Sequence, residues 1–346
     1  MRVANWLRRP IVWAPISILL LALVAWRSRL WEAGALLGHV AVAPLVAALA
    51  LSAVVPVLWA IRSSALLGRA GRPVGILPLI PMTAFANTIN NLTPGSSGEI
   101  FRLWLLREHH AVDYTTGTAV VVVERIVTLL YLAGSAVLVW LAVVGALPPP
   151  VVGAAIVVLA ALPGIVYGMG IRPSRIVALL PLGRVVGPER WSRTTDWLTG
   201  VDATITSLLT RPGPLATFAI ASALVLACYT VQLVLVGQAL GVSVSPAAAW
   251  GALGIGITVG ALSLLPFGLG STDLVVATLL TASGVPPVEA TAMTFAYRLV
   301  STLPLAIAGV ASYAVLSAGL PAGSSPGSFM RGPATRGDAP PTEGDG

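Results

Sequence analysis

The sequence predicts an all-α polytopic membrane protein with about eight membrane segments: six full spans and two re-entrant broken-helix hairpins in an inverted repeat. Three observations predict it. The chain is 56% hydrophobic and only 10% charged, which is more apolar than a soluble core needs. Its apolar runs are long enough for membrane helices. Two of the runs are broken by Pro/Gly turns, and each turn is followed by an arginine at nearly the same distance. Arg125 lies 31 residues after Pro94, and Arg298 lies 32 residues after Pro266.

The basic residues exclude several classes of function. All 20 are arginines, the net charge is +7, and they are scattered over short connections between apolar runs. That distribution follows the positive-inside rule and does not resemble a nucleic-acid-binding stripe. Without lysine the chain offers neither a P-loop ATPase site nor a pyridoxal phosphate linkage, and we expect no cofactor. Cys228 is the single cysteine, which excludes an intrachain disulfide.

The apolar runs predict the segments in chain order. Full spans are predicted at 11–25 (an uncleaved first helix), 40–61, 115–146, 151–170, 215–240 and 288–320, and broken segments at 76–114 and 247–287. The membrane domain therefore covers 1–320, with halves at about 40–170 and 214–320. A Pro- and Gly-rich tail at 321–346 is expected to be disordered.

Residues 171–213 form the longest polar connection. Apolar residues recur there at helical spacing among polar residues: Trp191, Leu198, Val201, Ile205 and Leu208. We favour an amphipathic helix lying on the membrane surface. The alternative is a short helix that packs over the bundle.

The arginines also orient the chain. The N-terminus, residues 62–72 and residues 171–213 hold 12 of the 20, whereas the turns at 145–150 and 241–246 hold none. This places the N-terminus, the 171–213 connection and the tail in the cytoplasm of a cell membrane. Each broken segment then leaves and returns on one side, the first from inside and the second from outside. The alternative is that each broken segment is a kinked full span.

The candidate site consists of charges near mid-membrane. Arg125 and Arg298 lie about 10 residues into their spans, or ~15 Å at helical rise. An unpaired charge there is costly, so we expect Glu99 to pair with Arg125 and Asp273 with Arg298, or the crossed arrangement. A lipid phosphate would compete for either guanidinium, and Lys would not replace them. Alternatively the pairs only lock the halves together. Arg62, read as a loop residue, should tolerate Lys.

Other polar residues complete the candidate set. Glu124 adjoins Arg125 on one helix and should face another partner. Asn87, Asn90 and Asn91 share one helical face; they either line the cavity or bond backbone freed near Pro94, and we favour the second. His109 and His110 have no third ligand nearby, so no metal site is expected. The predicted turn residues are Pro94, Gly95, Gly98, Pro266, Gly268 and Gly270.

Two motifs resemble signatures of the lysylphosphatidylglycerol synthase transmembrane-region family, also called flippase-like domain proteins. The first runs from Asn90 through Pro94-Gly95, Gly98-Glu99 and Arg102 to Glu124-Arg125. The second holds Pro266, Gly268, Gly270, Asp273 and Arg298. It departs from the family, which usually has Glu after a basic residue where this chain has Thr272-Asp273. The resemblance covers residues 10–320 and implies a lipid flippase. Family members with a soluble aminoacyl-transfer domain make an aminoacylated lipid, but this chain has no room for that domain.

Three functions therefore remain. We favour a transporter that moves an anionic phospholipid or a polyprenyl-phosphate-linked lipid between leaflets. A non-catalytic scaffold for an envelope or glycolipid biosynthesis enzyme is the first alternative. A lipid-carrier-dependent glycosyltransferase with Glu99 or Asp273 as base is the second, although hydrolase and metalloprotease motifs are missing. The expected partners are a membrane lipid and a separate biosynthetic enzyme, with no nucleic acid; the oligomeric state is not predicted.

Overall fold

The computed structural model describes residues 40–93, 97–168, 188–209, 212–263 and 265–318, together with the single positions 19, 22, 23, 26 and 174. Most of the predicted first helix, the predicted tail and the turn residues Pro94 and Gly95 lie outside these described residues.

The described chain is helical and contains no strand. The helices are α1 (Val42–Arg69), α2 (Ile76–Leu92), α3 (Gly98–His110), α4 (Tyr114–Val143), α5 (Pro149–Gly168), α6 (Pro188–Leu209), α7 (Pro212–Ala239), α8 (Pro246–Leu262), α9 (Ser271–Ala282), α10 (Pro287–Val300) and α11 (Thr302–Ala318), with a 3₁₀ turn at Pro266–Gly268.

Four stretches are long and apolar enough to cross a membrane: Val42–Arg69, Tyr114–Val143, Ala216–Ala239 and Pro287–Ser317. This confirms a polytopic all-α membrane protein. The helices of the broken segments have 17 and 13 residues in the first half and 17 and 12 in the second. Each is shorter than the ~20 residues that cross the hydrocarbon layer, as a hairpin that turns back would require.

The two halves exchange packing partners. Helices α1 and α7, which occupy the same place in each half, pack on one another. Helix α8 packs mainly on α4 of the first half, and α2 packs correspondingly on α11 of the second. Such reciprocity is what a two-fold relation between the halves produces, and it brings both hairpins to the interface between them.

Small residues allow the exchanged helices to approach closely. A Cβ on Gly254 of α8 would lie 2.3 Å from the Cβ of Ala136 on α4. At the other crossing, a Cβ on Gly309 of α11 would lie 1.9 Å from Thr88 Oγ1 on α2. Close backbone approach at small residues is how membrane helices gain dispersion contacts. Side chains larger than those present are therefore excluded from both crossings.

Helix α6 corrects one sequence interpretation. It forms where the amphipathic pattern predicts a helix, but Val201, Ile205 and Leu208 are almost completely buried in the core of the first half. Arg69 Nη2 also donates to the Ser207 carbonyl at 3.1 Å. The apolar face therefore packs on the bundle and is not free to lie on the membrane, because burial against helices satisfies it equally well.

The final predicted span is broken at Ser301, between α10 and α11. Pro304 has no backbone N–H, so the carbonyl four residues earlier, that of Val300, loses its helical partner. Ser52 Oγ of α1 donates to that carbonyl at 2.5 Å and accepts from Gln232 Nε2 of α7 at 2.8 Å. The freed group is thus satisfied inside the protein, as a membrane core requires.

Candidate functional site

A cavity of about 300 Å³ lies between the two halves. Its polar lining comes from α2, α4, α7, the 3₁₀ turn and α9–α11, and includes Asn87, Asn90, Asn91, Arg125, Tyr229, Asp273, Thr294, Tyr297, Arg298, Ser301 and Thr302. The volume is at the lower end for small-molecule sites. The cavity therefore has room for a polar headgroup and brings together residues that are far apart in sequence.

The two arginines occupy equivalent positions in their helices. Arg125 lies eleven residues after Tyr114, the first residue of α4, and Arg298 lies eleven residues after Pro287, the first residue of α10. Each acid lies in the first turn of the preceding helix, Glu99 in α3 and Asp273 in α9. A helix N-terminus favours a carboxylate. Both acid–arginine pairs are thus built by the same local arrangement.

Glu99 pairs with Arg125 and Asp273 pairs with Arg298. This is the first of the two pairings that the sequence left open. The crossed arrangement does not occur, because each acid packs beside the arginine of its own half.

In the second half, Arg298 is held on several sides. Its Nε donates to Asp273 Oδ1, and its Nη2 donates to Asp273 Oδ2 at 2.9 Å. Nη1 donates to the Phe267 carbonyl at 3.1 Å and Nη2 to the Gly268 carbonyl at 3.3 Å. Asp273 Oδ2 also accepts from the Gly270 backbone N–H at 2.8 Å. Arg298 therefore fastens the turn of the second hairpin to α10.

That turn is conformationally demanding. Phe267 has a left-handed backbone with φ 53°, which is uncommon for a side chain with a Cβ. Gly268 and Gly270 also have positive φ values, and glycine adopts these without steric cost. A Cβ on Gly260 of α8 would lie 2.0 Å from Thr272 Oγ1. The predicted turn glycines are thus required by backbone shape and close helix approach.

In the first half the charges form a larger buried cluster. Arg102 Nη2 lies 2.5 Å from Glu124 Oε2, and Arg102 Nε lies 3.0 Å from Glu99 Oε2. Glu124 Oε1 accepts from Ser63 Oγ of α1 at 2.6 Å. Glu124 therefore has the separate partner that the sequence predicts, and that partner is Arg102.

Arg125 differs from Arg298 in its exposure. Its side chain is 51% exposed and lines the cavity, whereas that of Arg298 is 14% exposed. The hydrogen bond described for Arg125 goes to Glu99 Oε1. A half-exposed guanidinium at the cavity wall therefore has donors beyond this one bond with which to contact a ligand.

The three asparagines line the cavity. Asn90 Nδ2 donates to Glu99 Oε1 at 3.0 Å, so it binds a side chain of the candidate site. This contact agrees with the other interpretation, in which the asparagines line the cavity; Pro94 itself lies outside the described residues. Gly98 allows α3 to approach α2 closely enough for this bond, because a Cβ at Gly98 would lie 2.0 Å from the Ala86 carbonyl oxygen.

Arg62 lies in a helix, whereas the sequence pattern predicts it in a loop. It is not in a loop: α1 continues to Arg69, and Arg62 is half-buried inside it. Its guanidinium lies 5.8 Å from the Phe218 ring centroid. Leu66 and Leu67, which are fully buried, carried the available signal, because they continue the apolar helical pattern beyond Arg62.

Among the described residues, no group of three His, Cys, Asp or Glu side chains is placed to hold a metal ion. His109 and His110 lie at the end of α3 with ring centroids 6.4 Å apart. The candidate site is therefore a set of arginines, carboxylates and amides, which suits recognition of an anion by hydrogen bonding.

The chain matches a protein-family model over most of its length. The model described as the lysylphosphatidylglycerol synthase TM region matches residues 12–309. No curated protein matches the chain. The matched range includes both hairpins, both acid–arginine pairs and the cavity between them.

Proposed function

The chain belongs to the lysylphosphatidylglycerol synthase TM region family, and from this premise we propose that it moves an anionic membrane lipid between leaflets. The lipid is a phospholipid or a polyprenyl-phosphate-linked lipid. Its headgroup enters the cavity between the halves while its acyl or prenyl chains stay in the bilayer. The site residues of this proposal are Arg125, Arg298, Glu99, Asp273, Glu124, Arg102, Asn87, Asn90 and Asn91.

The observation that carries the proposal is the placement of the cavity. Helices of both hairpins contribute to its lining together with α4, α10 and α11, and its arginines lie eleven residues after the first residues of α4 and α10. A headgroup that crosses ~30 Å of hydrocarbon needs polar partners near the middle. Transporters built from repeats place their sites in this position, beside broken helices.

The architecture also supports movement between two states. Reciprocal packing of α8 on α4 and of α2 on α11 gives two similar interfaces around one cavity. If the repeats are inverted, opening one interface while the other stays closed exposes the cavity to alternate sides. Without a lysine for a P-loop, the driving force would be the lipid gradient, an ion gradient or a partner enzyme. We place the protein in the cell membrane with both termini in the cytoplasm.

The test is reconstitution of purified full-length protein into liposomes. These contain tracer fluorescent phosphatidylglycerol or labelled polyprenyl phosphate, and quenching from outside measures the accessible fraction over time. Exchange faster than in empty liposomes is expected for at least one of these lipids. An Arg193→Ala variant, altered at an exposed position of α6, should exchange at the wild-type rate.

The other outcomes point to other functions. If well-folded protein gives no exchange for any anionic lipid, the transport proposal is wrong. A co-purifying biosynthetic enzyme would then favour a scaffold, and a covalent lipid product would favour a transferase.

A further inference from the structure

The two halves of the cavity place equivalent arginines in unequal chemical surroundings. Arg298 uses its Nε, Nη1 and Nη2 on Asp273 and on two turn carbonyls. Arg125 is half exposed to the cavity and donates to Glu99. We propose that Arg125 is the exchangeable phosphate ligand of the cavity, that a lipid phosphate replaces Glu99 as its partner, and that Arg298 stays bound as a structural latch. The identity of the phosphate as a lipid headgroup rests on the proposed function.

Glu99 can lose Arg125 without becoming isolated. Its Oε2 lies 3.0 Å from Arg102 Nε, and its Oε1 accepts from Asn90 Nδ2 at 3.0 Å. The carboxylate therefore keeps a cation and an amide donor when Arg125 turns to a ligand. This matters because an unpaired buried carboxylate is strongly unfavourable.

Asp273 has no equivalent reserve. Apart from Arg298, the partner described for it is the Gly270 backbone N–H at 2.8 Å. If Arg298 left, Asp273, whose side chain is 1% exposed, would be a buried charge without a cation. The Phe267 and Gly268 carbonyls would lose a donor at the same time. Releasing Arg298 therefore costs far more than releasing Arg125.

The charge balance of the halves points the same way. Arg62 interacts electrostatically with Arg102, Arg125, Glu99 and Glu124 of the first-half cluster. With Arg62 included, the cluster contains three arginines and two glutamates and so has one surplus positive charge. Within the part of the chain that the structure describes, Arg62 Nε is buried without a hydrogen-bond partner. The second-half pair, Asp273 with Arg298, is neutral. A bound anion would balance the first-half cluster, whereas it would leave the second-half pair with excess negative charge.

Ligand binding by purified protein in detergent tests this inference. The probes are dihexanoyl phosphatidylglycerol, inorganic phosphate and dihexanoylglycerol, which lacks phosphate, and the readout is the rise in thermal unfolding temperature with ligand concentration. Phosphatidylglycerol should stabilise wild type, and dihexanoylglycerol should not. Arg125→Gln should unfold near the wild-type temperature without ligand but need at least tenfold more phosphatidylglycerol, because a charged hydrogen-bonded contact is lost.

The matched variant is Arg298→Lys. It should unfold at a lower temperature without ligand, and its loss of apparent affinity for phosphatidylglycerol should be smaller than that of Arg125→Gln. Adding Phe267→Gly should recover part of that stability, because glycine accepts the left-handed backbone that Arg298 otherwise holds. The recovery separates a latch from a general folding defect.

Each outcome decides a different statement. Stabilisation by inorganic phosphate as well as by lipid supports a subsite that recognises the phosphate itself. Stabilisation by lipid alone supports a subsite that binds the acyl chains as well as the phosphate. Equal stabilisation by dihexanoylglycerol, or unchanged affinity in Arg125→Gln with lost affinity in Arg298→Lys, overturns the inference. Arg125-dependent binding without leaflet exchange would leave the inference intact and refute the transport proposal.

Discussion

Arg62 Nη1 of α1 donates a hydrogen bond to Thr128 Oγ1 of α4 at 3.4 Å. Thr128 lies one helical turn beyond Arg125, so α1 supplies a cation to the helix that carries the proposed phosphate ligand. This contact connects the N-terminal part of the bundle to the cavity wall.

Replacing Arg62 by lysine should therefore not be silent. An ammonium cannot both contact Thr128 and present a planar face to the Phe218 ring, which lies 5.8 Å from the guanidinium carbon. We expect a loss of about 1 kcal/mol of stability, measured as a lower thermal unfolding temperature in detergent. Arg193→Lys on the exposed side of α6 is the control. Equal unfolding temperatures for the two variants would contradict a structural role for Arg62.

Glu124→Gln should destabilise the first half strongly. Glu124 is 3% exposed and pairs with Arg102 at 2.5 Å while accepting from Ser63. Removing this carboxylate leaves Arg102 with Glu99 as its remaining described acidic partner, and the buried cluster gains one more unbalanced positive charge, at a cost of about 3 kcal/mol. Glu108→Gln, at an exposed position, should change little. A Glu124 variant as stable as the Glu108 variant would mean that Arg102 does not depend on this pair.

Gly98→Ala should disrupt the first hairpin. Its Cβ would meet the Ala86 carbonyl oxygen at 2.0 Å, and a backbone atom cannot rotate away. Lower expression of folded protein and a lower unfolding temperature are expected. Gly153→Ala on α5, where nothing lies within 4 Å of the added Cβ, should unfold at or above the wild-type temperature. If both alanines are tolerated equally, the close packing of α2 on α3 is wrong.

Asp113 should make stability depend on pH. It caps α4 by accepting from the Thr116 N–H at 2.8 Å. Burial raises the pKa of its carboxyl, but the Thr116 hydrogen bonds and Arg72 lower that pKa more, so the net pKa is below its ordinary value. This stabilisation is present above the unfolded pKa of about 4 and is lost as pH falls through the folded pKa.

Asp113→Asn keeps a capping oxygen and removes the charge. Between pH 5 and pH 3 its unfolding temperature should therefore fall less than that of wild type. Asp196→Asn, at an exposed position of α6, is the matched control. An identical pH profile for wild type and Asp113→Asn would refute the contribution of this carboxyl.

The orientation of the hairpins can be measured by cysteine labelling in a Cys228→Ser background. Glu108 and Pro286 are exposed at the ends of the first and second hairpins. Under the inverted arrangement, cysteine at 108 should label from the cytoplasm and cysteine at 286 from outside. Labelling of both positions from the same side would rule that arrangement out.

Much of the fold could be predicted from the sequence, because it depends on local composition. Long apolar runs form helices in a bilayer because their backbone groups must be hydrogen-bonded internally. Pro266 and the glycines that follow it end a helix regardless of the tertiary structure around them. The pairing partners Glu99 and Asp273 were also predictable, since a mid-membrane arginine needs a nearby acid. The break at Ser301 was missed because Pro304 is tolerated in a membrane helix when another helix, here through Ser52, supplies the missing donor.

The sequence by itself determined the helical membrane class, the breaks that separate α2 from α3 and α8 from α9, and the acidic and basic residues of the candidate site. The tertiary structure decided which surfaces those residues meet. Arg125 and Arg298 are indistinguishable by spacing and both line the cavity, yet Arg125 is half exposed whereas Arg298 is mostly buried and donates to the Phe267 and Gly268 carbonyls. Helix α6 is likewise amphipathic in sequence, but only the tertiary structure shows that its apolar face packs against other helices and not against lipid. Partner choice depends on distances between segments remote in the chain, and local patterns do not contain those distances.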